Sequence, residues 1–243
     1  MNVYGITDRG LVRRQNQDCY DSCTLDDAVF AVVCDGMGGA RGGNVASQMA
    51  VSYVIDAVEQ DQGAEPGAVM NQALAEANEA VLQRSLSDPE CSGMGTTLVA
   101  AWLQSDRHGY VLNVGDSRAY HISATGITQI TRDHSLVADL VARGKITPEE
   151  ARNHPNKNII TRALGTERNT EGDLFEVDLD AGDYILLCSD GLSNVVTEQE
   201  ILYEVLYGGE EDTCCGRLLE IAMHRGAPDN VTAVLISAGG EDR

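Results

Sequence analysis

Four aspartates sit where an apolar run gives way to a turn, and carboxylates so placed can collect cations. Three of the runs are Val32-Val33-Cys34-Asp35-Gly36, Leu112-Asn113-Val114-Gly115-Asp116 and Leu186-Leu187-Cys188-Ser189-Asp190-Gly191. The fourth site, Asp229-Asn230, stands just ahead of Val231-Thr232-Ala233-Val234-Leu235-Ile236. A β-branched or leucine-rich run beside such an Asp reads as a buried strand ending at a turn. If the four ends converge, anionic oxygens crowd around one point. They repel each other there unless a cation or a proton lies among them. Hard oxygen ligands suit Mg²⁺ or Mn²⁺. Asp-Gly is equally a hairpin signal, so at any one of these positions a turn-only role is the competing reading.

The elements that must position these residues follow from periodicity. Asn2 to Ile6 and Ala28 to Cys34 read as strands. Asn44 to Glu59 carries a helical stripe of Val45, Met49, Val51, Val54, Ile55 and Val58. A second helix is predicted to start at Pro66, a good first-turn residue, and to end before Pro89. Thr96 to Trp102, Gly109 to Val114, Arg118 to Ile122 and Gly126 to Ile130 read as four successive strands, an antiparallel meander. Asp133 to Ala142 and Thr147 to Asn153 read as short helices, the latter opening on the capping box Thr147-Pro148-Glu149-Glu150. Strands at Leu174 to Leu179 and Asp183 to Cys188, helices at Thr197 to Leu206 and Thr213 to His224, and a strand at Val231 to Ser237 complete the chain. This order lacks the regular alternation of a doubly wound fold. It predicts an α+β chain of antiparallel sheets with helices segregated to the outside.

Composition narrows the function classes. The chain has 243 residues, 43% of them hydrophobic, which suits one well-packed domain over 1–243. A net charge of −21, from 38 acidic and 17 basic residues, argues against nucleic acid and anionic membranes as partners. No apolar run approaches a membrane span, and Met1-Asn2-Val3-Tyr4-Gly5 has no basic or apolar leader character. A cytoplasmic location is the expectation. The seven cysteines include no paired CxxC motifs, so a structural zinc site is not expected, and reduced thiols are. The histidines (His108, His121, His134, His154 and His224) have no metal-ligand spacing and are expected at the surface or at helix caps.

Six segments taken together carry a family resemblance. They are Asp8-Arg9-Gly10-Leu11-Val12-Arg13-Arg14-Gln15-Asn16-Gln17-Asp18, Asp35-Gly36-Met37-Gly38-Gly39, Gly95-Thr96-Thr97, Gly115-Asp116-Ser117-Arg118, Ser189-Asp190-Gly191-Leu192 and Asp229-Asn230-Val231-Thr232. In this order, from about Asp8 to Ile236, the chain resembles the metal-dependent Ser/Thr protein phosphatases of type 2C, and most of all their compact stand-alone bacterial members. The resemblance implies a four-layer α/β/β/α sandwich of two antiparallel sheets flanked by helices, with metals at one end. It implies hydrolysis of phosphoserine and phosphothreonine in proteins, opposed to a cognate Ser/Thr kinase. Asp35 would bridge two metals, Mn²⁺ or Mg²⁺, with the Gly36 carbonyl on one of them. Asp190 and Asp229 would complete the first metal, and Asp18 would hold metal-bound water at the second. Asp116 with Asp190 would hold a third, weaker metal. Arg13 would bind the substrate phosphate, and Asn230 would support the geometry around Asp229. A segment at about 133–164 resembles the family's flap, which borders the active site and affects substrate choice.

The residue types suit that chemistry. Two cations about 3.5–4 Å apart acidify a bridging water and neutralise charge on the transferring group. The planar Arg13 fork matches phosphate oxygens. There is no Cys-x5-Arg loop and no Asp-x-Asp-x-Thr loop, so no side-chain nucleophile is expected. Met37 stands where many eukaryotic members carry a proton-donating His, and Gln17 where they carry an acid. Both departures resemble the bacterial pattern. Two rival readings stay open: a non-catalytic module on the same fold, and a metal-dependent hydrolase of small phosphate esters or nucleic acid.

Overall fold

The computed structural model describes residues 1–61 and 63–239; residues 62 and 240–243 of the expected 1–243 domain lie outside it. Its first sheet orders as β1 (Asn2–Asp8), β11 (Val231–Ser237), β10 (Tyr184–Cys188), β7 (Arg118–Ser123) and β8 (Gly126–Gln129). The second runs β2 (Asp18–Thr24), β3 (Ala28–Met37), β5 (Leu98–Gln104), β6 (His108–Val114) and β9 (Asp173–Asp178), with the two-residue β4 (Gly95–Thr96) on the end of β3. All pairings are antiparallel.

Period two explains the layers. Along β3, Val29, Ala31 and Val33 face the other sheet and pack with Ile185, Leu187, Val234 and Ile236. The alternate residues Phe30, Val32 and Cys34 face outward onto α1 (Gly39–Gln60) and α2 (Pro66–Ser87). In the first sheet Leu186, Cys188, Ala233 and Leu235 turn outward onto α6 (Glu198–Tyr207) and α7 (Cys214–His224). Three buried clusters thus alternate with four layers: helices, sheet, sheet, helices. The central strands are buried on both faces, which is why they read as unbroken apolar runs.

Local signals place the helix ends. Pro66 opens α2, and Glu65 accepts from the Gly67 and Ala68 N–H groups at 2.9 and 2.7 Å. The capping boxes Thr147–Glu150 and Thr197–Glu200 start α4 (Pro148–Arg152) and α6. Ser135 caps α3 (Leu136–Ala142), none of whose residues is buried. The helix α1 begins at Gly39, before the stripe that announces it.

Two expectations need correction, and one strand was not expected. The predicted meander from Thr96 to Ile130 is broken: β5 pairs with β6 and β7 with β8, but β6 and β7 belong to different sheets. The chain crosses between layers at Gly115, whose φ of 105° a side chain rarely tolerates. Asp35-Gly36 lies within β3, not at a turn beyond it, because β4 continues the pairing through Gly36 and Met37. The strand β2 carried no apolar run to reveal it, since Asp18-Cys19-Tyr20-Asp21-Ser22-Cys23-Thr24 is largely polar and lies at a sheet edge. All seven cysteines are free thiols, and five of them are buried.

Candidate metal centre

The site forms where the ends of both sheets meet. In the β2–β3 ladder Asp18 lies directly opposite Asp35. The backbone of Asp35 is held on its other side by Thr97: its N–H donates to Thr97 Oγ1 and its carbonyl accepts the Thr97 N–H, both at 2.9 Å. Asp18 is buried and reaches across to the first sheet. Its Oδ2 accepts from Ser189 Oγ and from Thr232 Oγ1, each at 2.7 Å. Ser189 follows β10 directly and takes the position before α5 (Asp190–Ser193), whose first residue is Asp190. Thr232 is the second residue of β11, and Asp229 precedes that strand.

Electrostatics records the convergence. Burial pushes the Asp35 carboxyl well above the usual carboxylate range, and Asp18, Asp190, Asp116 and Asp229 all push it further. Burial is also the first cause for Asp18, pushed up to about 7, and for Asp190, pushed up to about 6. Asp116 is pushed up to about 7 by burial and then by Asp190 and Asp133. The expected carboxylates therefore share one field. The oxygens Asp18 Oδ1 and Asp190 Oδ1 are buried without any hydrogen-bond partner. A buried acceptor without a donor is costly, and a hard cation satisfies it. The donor set fits a divalent ion on this ground. Among the described residues, no three His, Cys, Asp or Glu side chains form a finished ligand set for one ion. Asp229 is turned instead onto Arg13, whose Nη2 donates to its Oδ2 at 2.7 Å, and onto the Asn230 N–H at 2.9 Å.

The cationic partner comes from the loop between β1 and β2. Arg13 is half exposed, and its guanidinium is held further toward the charged form, first by Asp229 and then by the charges of Asp35 and Asp190. The loop is fixed by Asn230: its Nδ2 donates to the Arg9 and Gln15 carbonyls at 2.9 Å, and its Oδ1 accepts the Gln17 N–H at 2.8 Å. Asn230 thus holds the segment that carries Arg13, as well as flanking Asp229. Gly36 has a packing reason for its identity. A Cβ there would overlap the Gly43 carbonyl of α1.

His134 departs from expectation. It is 7% exposed, and both ring nitrogens are engaged. Nδ1 accepts the Gly115 N–H at 3.1 Å, and Nε2 meets Asp173 Oδ2 at 3.1 Å and Arg162 Nη1 at 3.3 Å. A backbone N–H can only donate, so Nδ1 presents a lone pair and the ring proton lies on Nε2 toward Asp173. The His134 N–H donates to the Gly115 carbonyl at 2.8 Å, and the Thr161 N–H to the His134 carbonyl at 2.8 Å. The root of segment 133–164 is therefore tied to the turn bearing Asp116. A groove of about 980 Å³ runs from Asp116 and Asp190 along this segment, with Lys157 on its wall. Sequence reasoning gave no role to Ser189, Thr232, Thr97 or His134. The first two did leave a signal, a hydroxyl inside or at the end of an otherwise apolar run.

Comparison with known proteins agrees with this geometry. A family model described as Protein phosphatase 2C matches residues 12–207. The Mycobacterium tuberculosis serine/threonine protein phosphatase PstP is 40% identical over 229 residues; the match covers 94% of this chain but 43% of PstP, so the chain spans less than half of that relative. The Listeria monocytogenes serine/threonine phosphatase stp is 39% identical, with 95% of this chain and 93% of the relative covered. The solved catalytic domain of PstP in complex with two manganese ions superposes with a TM-score of 0.84 at 36% identity, covering 96% of each chain. The chain belongs to the protein phosphatase 2C family.

Proposed function

We propose that this chain hydrolyses phosphoserine and phosphothreonine in proteins, with divalent metal ions as cofactors. One observation carries the reading: five carboxylates share a buried field in which two oxygens have no donor, with an arginine fork at its rim. Asp35, the Gly36 carbonyl, Asp190 and Asp229 would hold the first ions, with Asp18 beside the second. Asp116 with Asp190 would hold a third. The relative solved with two manganese ions supports Mn²⁺, and Mg²⁺ accepts the same oxygens. When bound, such ions supply Lewis acidity: they make water a stronger acid and offset phosphoryl charge.

The chain's own residues do the rest. Arg13 sits 2.7 Å from Asp229, so an Asp229 that turns to a cation frees the guanidinium for the two oxygens of a phosphate. Asp18 is kept from rotating by Ser189 and Thr232, which leaves its buried Oδ1 without a hydrogen-bond partner and free for a cation or its water. Met37 has no proton to give, so the leaving alkoxide takes its proton from elsewhere. The net charge of −21 supports phosphoprotein substrates over nucleic acid. Described residues contain no helix long and apolar enough to cross a membrane. We place the protein in the cytoplasm, opposing a Ser/Thr kinase, as one catalytic domain with a flap over 133–164.

The test is hydrolysis of a phosphothreonine peptide with Mn²⁺ and after EDTA. Metal-dependent phosphate release is expected. Equal release in both conditions would refute metal catalysis. Turnover of small esters or nucleic acid without any phosphopeptide turnover would move the substrate class.

A further inference from the structure

We infer that Arg9 and Arg14 form a second anion subsite, which takes an acidic or phosphorylated side chain of the substrate polypeptide near the phosphoresidue being hydrolysed. This inference rests on the phosphatase reading and deepens it.

The two arginines line a pocket of about 560 Å³ together with Gln15, Asn16, Asn44 and Val45. Most arginines of the site and its surroundings are neutralised. Arg13 lies on Asp229, Arg118 on Asp133 and Arg162 on Asp173. Arg9 and Arg14 are exposed, and among the described residues neither makes an ion pair. Arg152 and Lys157, on the wall of the larger groove, also make no ion pair among the described residues, but Arg9 and Arg14 are the ones on the loop that carries Arg13.

The pocket is built on the same loop as Arg13. Its backbone is the Arg13 loop, fixed at the Arg9 and Gln15 carbonyls and at the Gln17 N–H by Asn230, the neighbour of Asp229. The Leu11 N–H donates to the Ala227 carbonyl at 3.0 Å, and Asn16 Nδ2 to Thr7 Oγ1 at 2.9 Å. A loop backbone fixed at so many points does not itself have to order when a ligand binds, which lowers the cost of binding. A phosphoryl group on Arg13 would therefore leave the flanking substrate residues beside Arg9 and Arg14. Guanidinium groups bind carboxylate and phosphate in the same forked geometry, so both ligands share one chemistry. The charge also has a steering role. A phosphopeptide approaching a surface of net charge −21 meets repulsion, and free arginines beside the site offset it locally.

The experiment uses the full chain with Mn²⁺ and a series of phosphothreonine peptides. One position, from three residues before the phosphothreonine to three after, carries Ala, Glu or a second phosphothreonine. At low ionic strength at least one position is expected to raise kcat/KM by about tenfold over the Ala peptide, mainly through KM. The Glu and phosphothreonine arms separate an acidic side chain from a second phosphoryl group. The variant carrying Arg9→Gln and Arg14→Gln should lose that gain relative to the Ala peptide while keeping the wild-type kcat on the Ala peptide, which also reports that it is folded. A gain that survives in the double variant, or a flat series with good turnover, overturns the subsite. No turnover of any peptide overturns the phosphatase reading and the subsite with it.

Discussion

His134 Nδ1 accepts the Gly115 N–H at 3.1 Å, so the turn carrying Asp116 hangs on a side chain at the root of segment 133–164. Gly115 and Asp116 sit where the chain leaves one sheet for the other. Removing the ring leaves a buried N–H unpaired and Asp173 without its Nε2 partner, a loss of about 1–3 kcal/mol. His134→Ala should lower the melting temperature and speed hydrogen exchange at Gly115. His134→Asn keeps an acceptor near the Nδ1 position and should restore part of the protection. Equal exchange in all three proteins would mean that this contact does not hold the turn.

Asp35→Asn is expected to separate function from stability. The carboxyl is destabilised by burial and by four neighbouring aspartates, so a neutral amide relieves the metal-free protein. Its melting temperature in EDTA should rise, by a stabilisation on the order of 1–3 kcal/mol. Phosphopeptide turnover should fall at least 100-fold, since the ligand proposed to lie between the metals is gone. Calorimetry with Mn²⁺ should show weakened binding. A variant with wild-type turnover would remove Asp35 from the centre.

The sign of the pH dependence follows from the raised carboxyls. Asp18 lies at about 7 and Asp190 at about 6, both above the ordinary value of 3.8. Between those limits the folded chain binds more protons than the unfolded one, so stability falls as pH rises. In EDTA the protein should melt higher at pH 5 than at pH 7.5. Mn²⁺ competes with those protons, so its affinity should rise over the same interval. Asp18→Asn should flatten the EDTA profile. A metal-free protein that gains stability toward pH 7.5 would contradict the buried-carboxylate account.

Asn230→Ala removes three hydrogen bonds that fix the Arg13 loop. The expected cost is about 2–4 kcal/mol, because partners on the loop lose their donors or acceptor together. KM for a phosphopeptide should rise more than kcat falls, since Arg13 and its neighbours lose their fixed backbone. A variant with unchanged KM would show that the loop is held by its other contacts.

The sequence by itself determined which strands are buried and most of the ligand candidates. Alternating and unbroken apolar runs fix which residues are buried, so β3, β5, β10 and β11 were legible, as was the helical stripe of α1. The acids beside those runs, Asp35, Asp190 and Asp229, were legible because a carboxylate beside a buried strand is conspicuous. Pairing between sheets was not legible, because period two gives a strand its faces and not its neighbours. Tertiary structure alone decided that β6 and β7 part company at Gly115, that polar β2 sets Asp18 opposite Asp35, and that Ser189 and Thr232 reach Asp18 from the other sheet. It also decided the place of His134, whose role comes from a contact 19 residues back along the chain. The physical reason is one of range. Local periodicity is written into adjacent residues, whereas an electrostatic centre built from distant ones exists only once both sheets close on it.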